Sequence, residues 1–91
     1  MLSMDDVFER MMNFRQVLQK FQETMEGSLT SLRTSHERID PVWPSDEFRR
    51  RYDAIYQPLK ELLERYVVIQ GPNYLEFLEL KLRAIDSYLH D

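Results

Sequence analysis

The sequence predicts an all-α fold, in which a long antiparallel helical hairpin is followed by a third, C-terminal helix. Turn-forming residues are scarce, with two Gly and four Pro among 91 residues, whereas a sheet of many short strands needs frequent turns. Apolar residues recur at alternating steps of four and three along two long segments, which is the spacing of one face of a helix. The chain is one domain by length, and it is short enough that we expect hairpins to dimerise into a larger bundle.

Helix one is predicted from about residue 3 to residue 36. Its inner seam consists of Val7, Met11, Phe14, Leu18, Phe21, Met25, Leu32 and Ile39, with Ser28 and Ser35 filling the two missing places. Ser3 provides an N-cap for this helix, with Asp6 three residues later. Gly27 weakens the second half, which indicates close approach of another backbone or local mobility.

The turn is predicted over residues 37–45. Pro41 and Pro44 cannot both occupy a helix interior, because each lacks an amide proton and restricts the residue before it. Trp43, the single Trp of the chain, is expected to close the open end of the hairpin by packing on apolar residues of both helices. Ser45 or the residue after it caps the next helix. Trp43, Pro44 and Ser45 are therefore the predicted hairpin-turn residues.

Helix two is predicted from about residue 46 to residue 70. Its seam consists of Phe48, Tyr52, Ile55, Leu59, Leu62, Tyr66 and Ile69. Two seams of the same period on either side of a short turn are most simply satisfied by packing against each other antiparallel. Pro58 removes one backbone hydrogen bond inside this helix, so we expect a kink there rather than an end.

Helix three is predicted from about residue 73 to residue 90. Gly71 followed by Pro is typical of a helix C-cap, and Asn73 with Glu76 has the spacing of a capping box. The apolar stripe of helix three consists of Leu75, Leu78, Leu82, Ile85 and Leu89, widened by Tyr74, Phe77 and Tyr88. Its phase differs from that of helix two, which indicates a separate element. It either folds back into a three-helix bundle or extends along the first turns of helix one.

The residues that most enzymes use are missing. The chain has no Cys, which excludes disulfides and thiolate zinc sites, and two glycines are too few for a phosphate-binding loop. It contains no Gly-x-Ser-x-Gly motif. Neither His36 nor His90 is preceded by Glu at three residues, the spacing of helical dimetal sites. We therefore expect no enzymatic activity, no cofactor and no metal.

Charge disfavours nucleic acid as a partner. The formal net charge is −4, which gives no general attraction to a polyanion. Arg49, Arg50 and Arg51 form the sharpest basic run and are a candidate patch for nucleic acid or an acidic partner. Asp46 and Glu47 stand close enough to neutralise them on an exposed helix, and that alternative is favoured in an acidic chain.

Apolar side chains outside the two seams are the candidate partner-binding residues. They are Phe8, Met12, Tyr56, Leu63, Val67, Tyr74, Phe77 and Tyr88. The partner is expected to be another protein or a second copy of the chain. No run of about 18 apolar residues is present, so no membrane span is predicted.

Trp43 in the turn is followed on helix two by Phe48 and Tyr52, with Leu59 and Leu62 beyond. This arrangement resembles the WXG family of small secreted helical hairpins. The resemblance implies export, already folded, by a type VII secretion system as a four-helix homo- or heterodimer. It also implies a role as a secreted effector, carrier or chaperone.

The chain departs from that family at two motifs. Pro44 and Ser45 take the second and third places of the Trp-x-Gly motif, and Tyr88 precedes Asp91 by three residues where the family's export signal has four. The first residues also lack the apolar run of a secretory signal. Two expectations therefore stand: secretion by a specialised system without a signal peptide, or a cytoplasmic adaptor, chaperone or immunity-type inhibitor.

Overall fold

The protein is an extended, all-helical hairpin of two antiparallel rods. The computed structural model describes residues 3–39 and 45–90. Helix α1 spans Met4–Ile39; the second rod consists of α2 (Asp46–Arg65), a π-helical segment (Tyr66–Gln70) and α3 (Gly71–His90). The molecule measures 66 × 22 × 15 Å, the thickness of one helix layer. The predicted all-α hairpin is confirmed.

Both predicted helix starts are capped. At the start of α1, the Ser3 hydroxyl accepts from the amide of Asp6 while the Asp6 carboxylate accepts from the amide of Ser3, each at 3.2 Å. At the start of α2, the Ser45 hydroxyl accepts from the amide of Phe48 at 3.3 Å. Each cap satisfies amide groups that have no partner inside the helix.

The predicted break between helices two and three is wrong, although the change of phase is real. The Gly71 amide donates to the carbonyl of Tyr66, five residues back, instead of Val67. Pro72 cannot donate at all, and its ring would crowd the carbonyl four residues before it. The wider turn relieves this crowding and inserts one extra residue, which shifts the apolar phase by one position.

The predicted caps at this junction are therefore absent. Gly71 is right-handed helical with φ −60°, so it does not end a helix. Asn73 and Glu76 lie inside α3 and form no capping box. Helix α1 also extends to Ile39, beyond its predicted end near residue 36.

Helix α3 runs along the N-terminal half of α1, the second of the two predicted placements. The Arg15 guanidinium pairs with the Glu79 carboxylate between the two helices. Phe8 and Met12 lie against Leu82 in a shallow depression on one side of this contact. Helix α3 therefore continues the second rod along α1, and the second rod sets the length of the hairpin. This helix does not fold back as a third layer.

The residues that face the opposite rod are displaced by one position from the predicted seam of α1. The inward line is Met11, Arg15, Leu18, Gln22, Met25, Leu29, Leu32 and His36, all buried or half-buried. Every second residue of this line also belongs to the predicted seam, namely Met11, Leu18, Met25 and Leu32. Of the other apolar members of that seam, Val7 is half-buried, whereas Phe14, Phe21 and Ile39 are exposed, so the prediction of these three as core is wrong.

The second rod shows the same displacement in its first half. Tyr56, Lys60, Leu63 and Val67 face α1, whereas the predicted seam residues Phe48, Ile55, Leu59, Leu62 and Ile69 are exposed. In α3 the predicted stripe is confirmed, since Leu78 and Leu82 are buried and the other three members are half-buried. One position on a helix is a rotation of about 100°, so the apolar stripes point partly away from the neighbouring rod.

Candidate protein-binding face

One side of the hairpin carries a row of large apolar side chains that nothing in the described residues covers. We call it the apolar face; its members are Phe14, Val17, Phe21, Ile55, Leu59, Leu62, Tyr74, Phe77 and Tyr88. Their exposed fractions lie between 43% for Leu59 and 74% for Ile55. Scattered exposed apolar residues are ordinary, but a contiguous row of them marks an interaction surface.

Tyr66 links the three helices of this face. It lines one groove together with Phe14 and Phe77, and its ring meets that of Phe21 edge-to-face at 5.2 Å between centroids. Leu62 lies one helical turn before Tyr66 on α2. The remaining members are separated from these residues by three, seven or eleven positions along their own helices, which keeps them on the same side.

This groove is a concave part of the apolar face. It has a volume of about 370 Å³ and is lined by Phe14, Leu18, Tyr66, Tyr74, Phe77 and Leu78. All six are aromatic or aliphatic, so the groove suits a bulky apolar side chain rather than a polar ligand. Aromatic-lined pockets of this kind hold the anchor residues of protein interfaces.

The opposite side of the hairpin carries the ion pairs between the rods, with the exposed Val68 and Ile69 beside Glu64. Arg33 donates to Glu64 at 2.8 Å and Lys60 lies 3.8 Å from the same carboxylate. The hydrogen bond from Arg33 is the main reason that the pKa of Glu64 lies below its ordinary value. The Arg15–Glu79 pair also borders the depression on this side. Ion pairs therefore join the rods on the side where the apolar face is absent.

A buried polar layer holds the register of the two rods beside the groove. The side chain of Gln22 is buried, and its amide donates to the carbonyl of Val67 at 2.8 Å. That carbonyl has lost its ordinary partner, because the Gly71 amide bonds Tyr66 instead. A Cβ at Gly71 would lie 1.8 Å from the Gln22 side-chain oxygen. These contacts define one register of α1 against the second rod, set by the π-helical segment, Gln22 and Gly71. The same register places Tyr66 and Tyr74 around the groove.

A second layer holds the register near the turn. The ring of His36 stacks on Tyr56 with 3.9 Å between centroids and on Tyr52 with 5.6 Å, both nearly parallel. Tyr56 is buried in this stack. Together with the Gln22 layer, it prevents the rods from sliding by a heptad.

The predicted partner-binding residues divide into two groups. Tyr74, Phe77 and Tyr88 belong to the apolar face. Tyr56 is buried, Leu63 and Val67 are half-buried between the rods, and Phe8 and Met12 are half-buried against α3, so these five serve the contact between helices. Sequence reasoning missed Phe14, Phe21, Ile55 and Leu62 as surface residues, because it assigned them to the core. The available signal was the width of the stripe, which exceeds what one neighbouring helix covers.

The arginine run is exposed, and Arg50 and Arg51 have partners on the same helix. Arg51 pairs with Glu47 at 2.8 Å, and Arg50 donates to the backbone carbonyl of Asp46 at 3.4 Å. Arg49 lies on the same exposed turn. Trp43 and Pro44 lie outside the described residues, whereas Ser45 acts as the N-cap of α2.

Residues 3–39 and 45–90 contain neither a metal cluster nor a membrane-spanning helix. No three His, Asp or Glu side chains there lie close enough to hold a metal ion together. No helix there combines the length and the apolar character that crossing a membrane requires. Comparison with known proteins adds no relative, since no family model, curated protein or solved structure matches the chain.

Proposed function

We propose that this protein is a non-enzymatic protein-interaction module, which docks helices of another protein, or of a second copy, onto its apolar face. The observation that carries the proposal is the row of nine exposed large apolar residues along one side of a hairpin only 15 Å thick. Their burial in an interface removes apolar area from water, which is the main favourable term in protein association. The opposite side, with its ion pairs, needs no such cover.

The direction of the apolar stripes supports a helical occupant. A helix in a two-helix hairpin has one neighbour, whereas a helix in a four-helix bundle has two, at right angles around a shared core. The stripe of α1 includes both Leu18, which faces the second rod, and Phe21, which faces outward. A stripe of this width is satisfied by two neighbours. Further helices laid across the apolar face therefore complete a bundle.

The resemblance to WXG hairpins supports a role as an effector, carrier or chaperone associated with specialised secretion. The long hairpin is common to that family and to this chain. The second candidate is a cytoplasmic adaptor or immunity-type inhibitor that binds one protein through the same face. Both roles need the apolar face, and they differ in whether the chain is found outside the cell.

Substitution on the two sides of the hairpin tests the proposal. Phe14→Gln and Phe77→Gln remove apolar area from the groove. Val68→Gln, at an even more exposed apolar position beside Glu64, serves as the control. We expect the two face variants to lose self-association or partner capture at least about tenfold, a change of about 1.4 kcal/mol. The control should retain both, and circular dichroism should show unchanged helicity for all three.

Sedimentation velocity and affinity capture from the native cell, with and without crosslinking, supply the two readouts. Detection of the chain in the culture medium distinguishes the secreted role from the cytoplasmic one. If the face variants keep the same oligomeric state and the same captured proteins as the unmodified chain, the apolar face is not a docking surface.

A further inference from the structure

Basic residues border the apolar face, and acidic ones avoid it. Positions three or four residues from a face member lie one helical turn away on the same side. Five basic residues occupy such positions: Arg10, Lys20, Arg51, Arg65 and Lys81. Of these, Arg65 also lines the depression beside Glu64 and Val68. Among residues 3–39 and 45–90 no acidic residue occupies such a position, although the chain has 16 acidic residues and 12 basic ones. The charges are therefore sorted, with the acids on the remaining sides.

Most of these cations have no acidic partner. Arg51 pairs with Glu47. In residues 3–39 and 45–90, the other four basic residues form no ion pair. Lys81 instead lies over the ring of Phe77, with its ammonium 5.4 Å from the ring centroid. This contact places a positive charge beside Phe77, which is one of the residues that line the groove.

We infer that the occupant of the apolar face is an amphipathic helix with carboxylates beside its apolar stripe. The inference rests on the proposed function and names the chemistry of its partner. Apolar anchors of such a helix fill the groove between Phe14 and Phe77, and its flanking Glu or Asp side chains reach Arg10 and Lys81. Opposite charges at the rim of an interface set partner choice and speed association.

A second copy of the chain is the poorer occupant. Face-to-face docking of two copies brings two basic borders to one perimeter, and like charges there act against the complex. The carboxylates that could balance them, such as Glu64 and Glu79, lie on the opposite side, paired with Arg33 and Arg15. An anionic membrane would also attract the cations, but a concave groove between two rods fits a protruding side chain better than a flat surface.

Two synthetic heptad-repeat peptides test the inference. They share one leucine seam and differ only in the flanking residues, which are Glu in one and Lys in the other. We expect the Glu peptide to bind the full chain on the order of tenfold more tightly, since several rim charges act together. The preference should shrink with added salt. Fluorescence anisotropy of labelled peptides gives both affinities.

Charge reversal provides the decisive comparison. The Arg10→Glu/Lys81→Glu variant should prefer the Lys peptide, whereas Arg83→Glu, the same change on the opposite side of α3, should keep the preference for the Glu peptide. Circular dichroism confirms that each variant is folded. Two further measurements are binding of the chain to phosphatidylcholine–phosphatidylglycerol vesicles and the oligomeric state of the chain alone by sedimentation velocity.

Each other outcome has a defined meaning. Equal binding of both peptides, lost in Phe77→Gln, overturns the inference and leaves the proposed function standing. Dimerisation of the chain through the face, with neither peptide bound, also overturns the inference alone. Binding to vesicles alone overturns the inference in favour of a lipid surface. A monomeric chain that binds nothing, with face variants unchanged in partner capture, overturns both proposals.

Discussion

The two glycines of the chain occupy helices, yet they should respond to replacement by alanine in opposite ways. A Cβ at Gly27 meets no atom within 4 Å, whereas a Cβ at Gly71 would lie 1.8 Å from the side-chain oxygen and 2.8 Å from the side-chain carbon of Gln22. Gly27→Ala is therefore a matched control for Gly71→Ala. The comparison measures the buried polar layer between the rods.

The magnitudes follow from two terms. Alanine is better than glycine in a helix interior by about 1 kcal/mol, and this gain applies to both variants. At Gly71 the added methyl displaces Gln22, which removes its hydrogen bond to Val67 and leaves a buried carbonyl unpaired, at a cost of about 1–3 kcal/mol. Gly27→Ala should raise the unfolding free energy by about 1 kcal/mol, whereas Gly71→Ala should leave it unchanged or lower it by up to about 2 kcal/mol.

Thermal and urea unfolding, followed by circular dichroism at one fixed protein concentration, measure both changes. For a domain of this size, 1 kcal/mol corresponds to about 4–8 °C in Tm. A third comparison isolates the cause. In a Gln22→Ala background the main obstacle is gone and the Tyr66 carbonyl, 3.1 Å from the added Cβ, remains. Gly71→Ala should then stabilise the fold, but by less than Gly27→Ala. If both alanine variants stabilise equally in the unmodified chain, Gln22 does not occupy the space beside Gly71 and the register argument fails.

Three other predictions concern the core, the turn end and acid stability. Leu29→Ala removes a buried side chain and should lower the free energy of unfolding by about 2–5 kcal/mol. Leu62→Ala, at 61% exposure, should lower it by well under about 1 kcal/mol in the unbound chain. Equal losses for the two variants in urea unfolding would contradict the observed rotation of the helices. His36→Ala removes the stack on two tyrosine rings and should cost about 1 kcal/mol, and an unchanged urea midpoint would refute that packing. The lowered pKa of Glu64 stabilises the fold above its ordinary value of 4.5, and this contribution is lost as pH falls through the lowered value. Glu64→Gln or Arg33→Ala should therefore flatten the fall of the urea midpoint between neutral and acidic pH, and an unaltered pH dependence would show that the pair is absent in solution.

The face variants and the peptide comparison address function, and they connect to these stability measurements. A residue that costs little in the unbound chain but much in partner binding belongs to the docking surface. Leu62 and Phe77 are expected to behave in this way, and Leu29 to behave in the opposite way. The two classes of residue are thus separable by experiment without knowledge of the partner.

Local features were predictable from the sequence because their causes are local. Ser3 and Ser45 cap the two rods as their spacing indicated, since a hydroxyl at an N-cap needs only the amides of the next turn. The stripe of α3 from Leu75 to Leu89 also points inward as predicted. The change of phase near Gly71 was readable too, but its interpretation as a break was wrong. A π-helical insertion and a loop shift the apolar pattern of a sequence in the same way. Only the structure distinguishes them, through the hydrogen bond from the Gly71 amide to the Tyr66 carbonyl.

Sequence periodicity by itself determined that two long helices exist, where they begin and that each carries a broad apolar stripe. Only the tertiary structure decided which edge of each stripe meets the other rod. The pattern favours Phe14 and Phe21 as inward residues, because only Leu29 is apolar among the residues that face the second rod in their place, which are Arg15, Gln22, Leu29 and His36. The choice depends on side chains that are far apart in the chain: Gln22 must reach the Val67 carbonyl, and one helical position of rotation then leaves the aromatic residues on the surface.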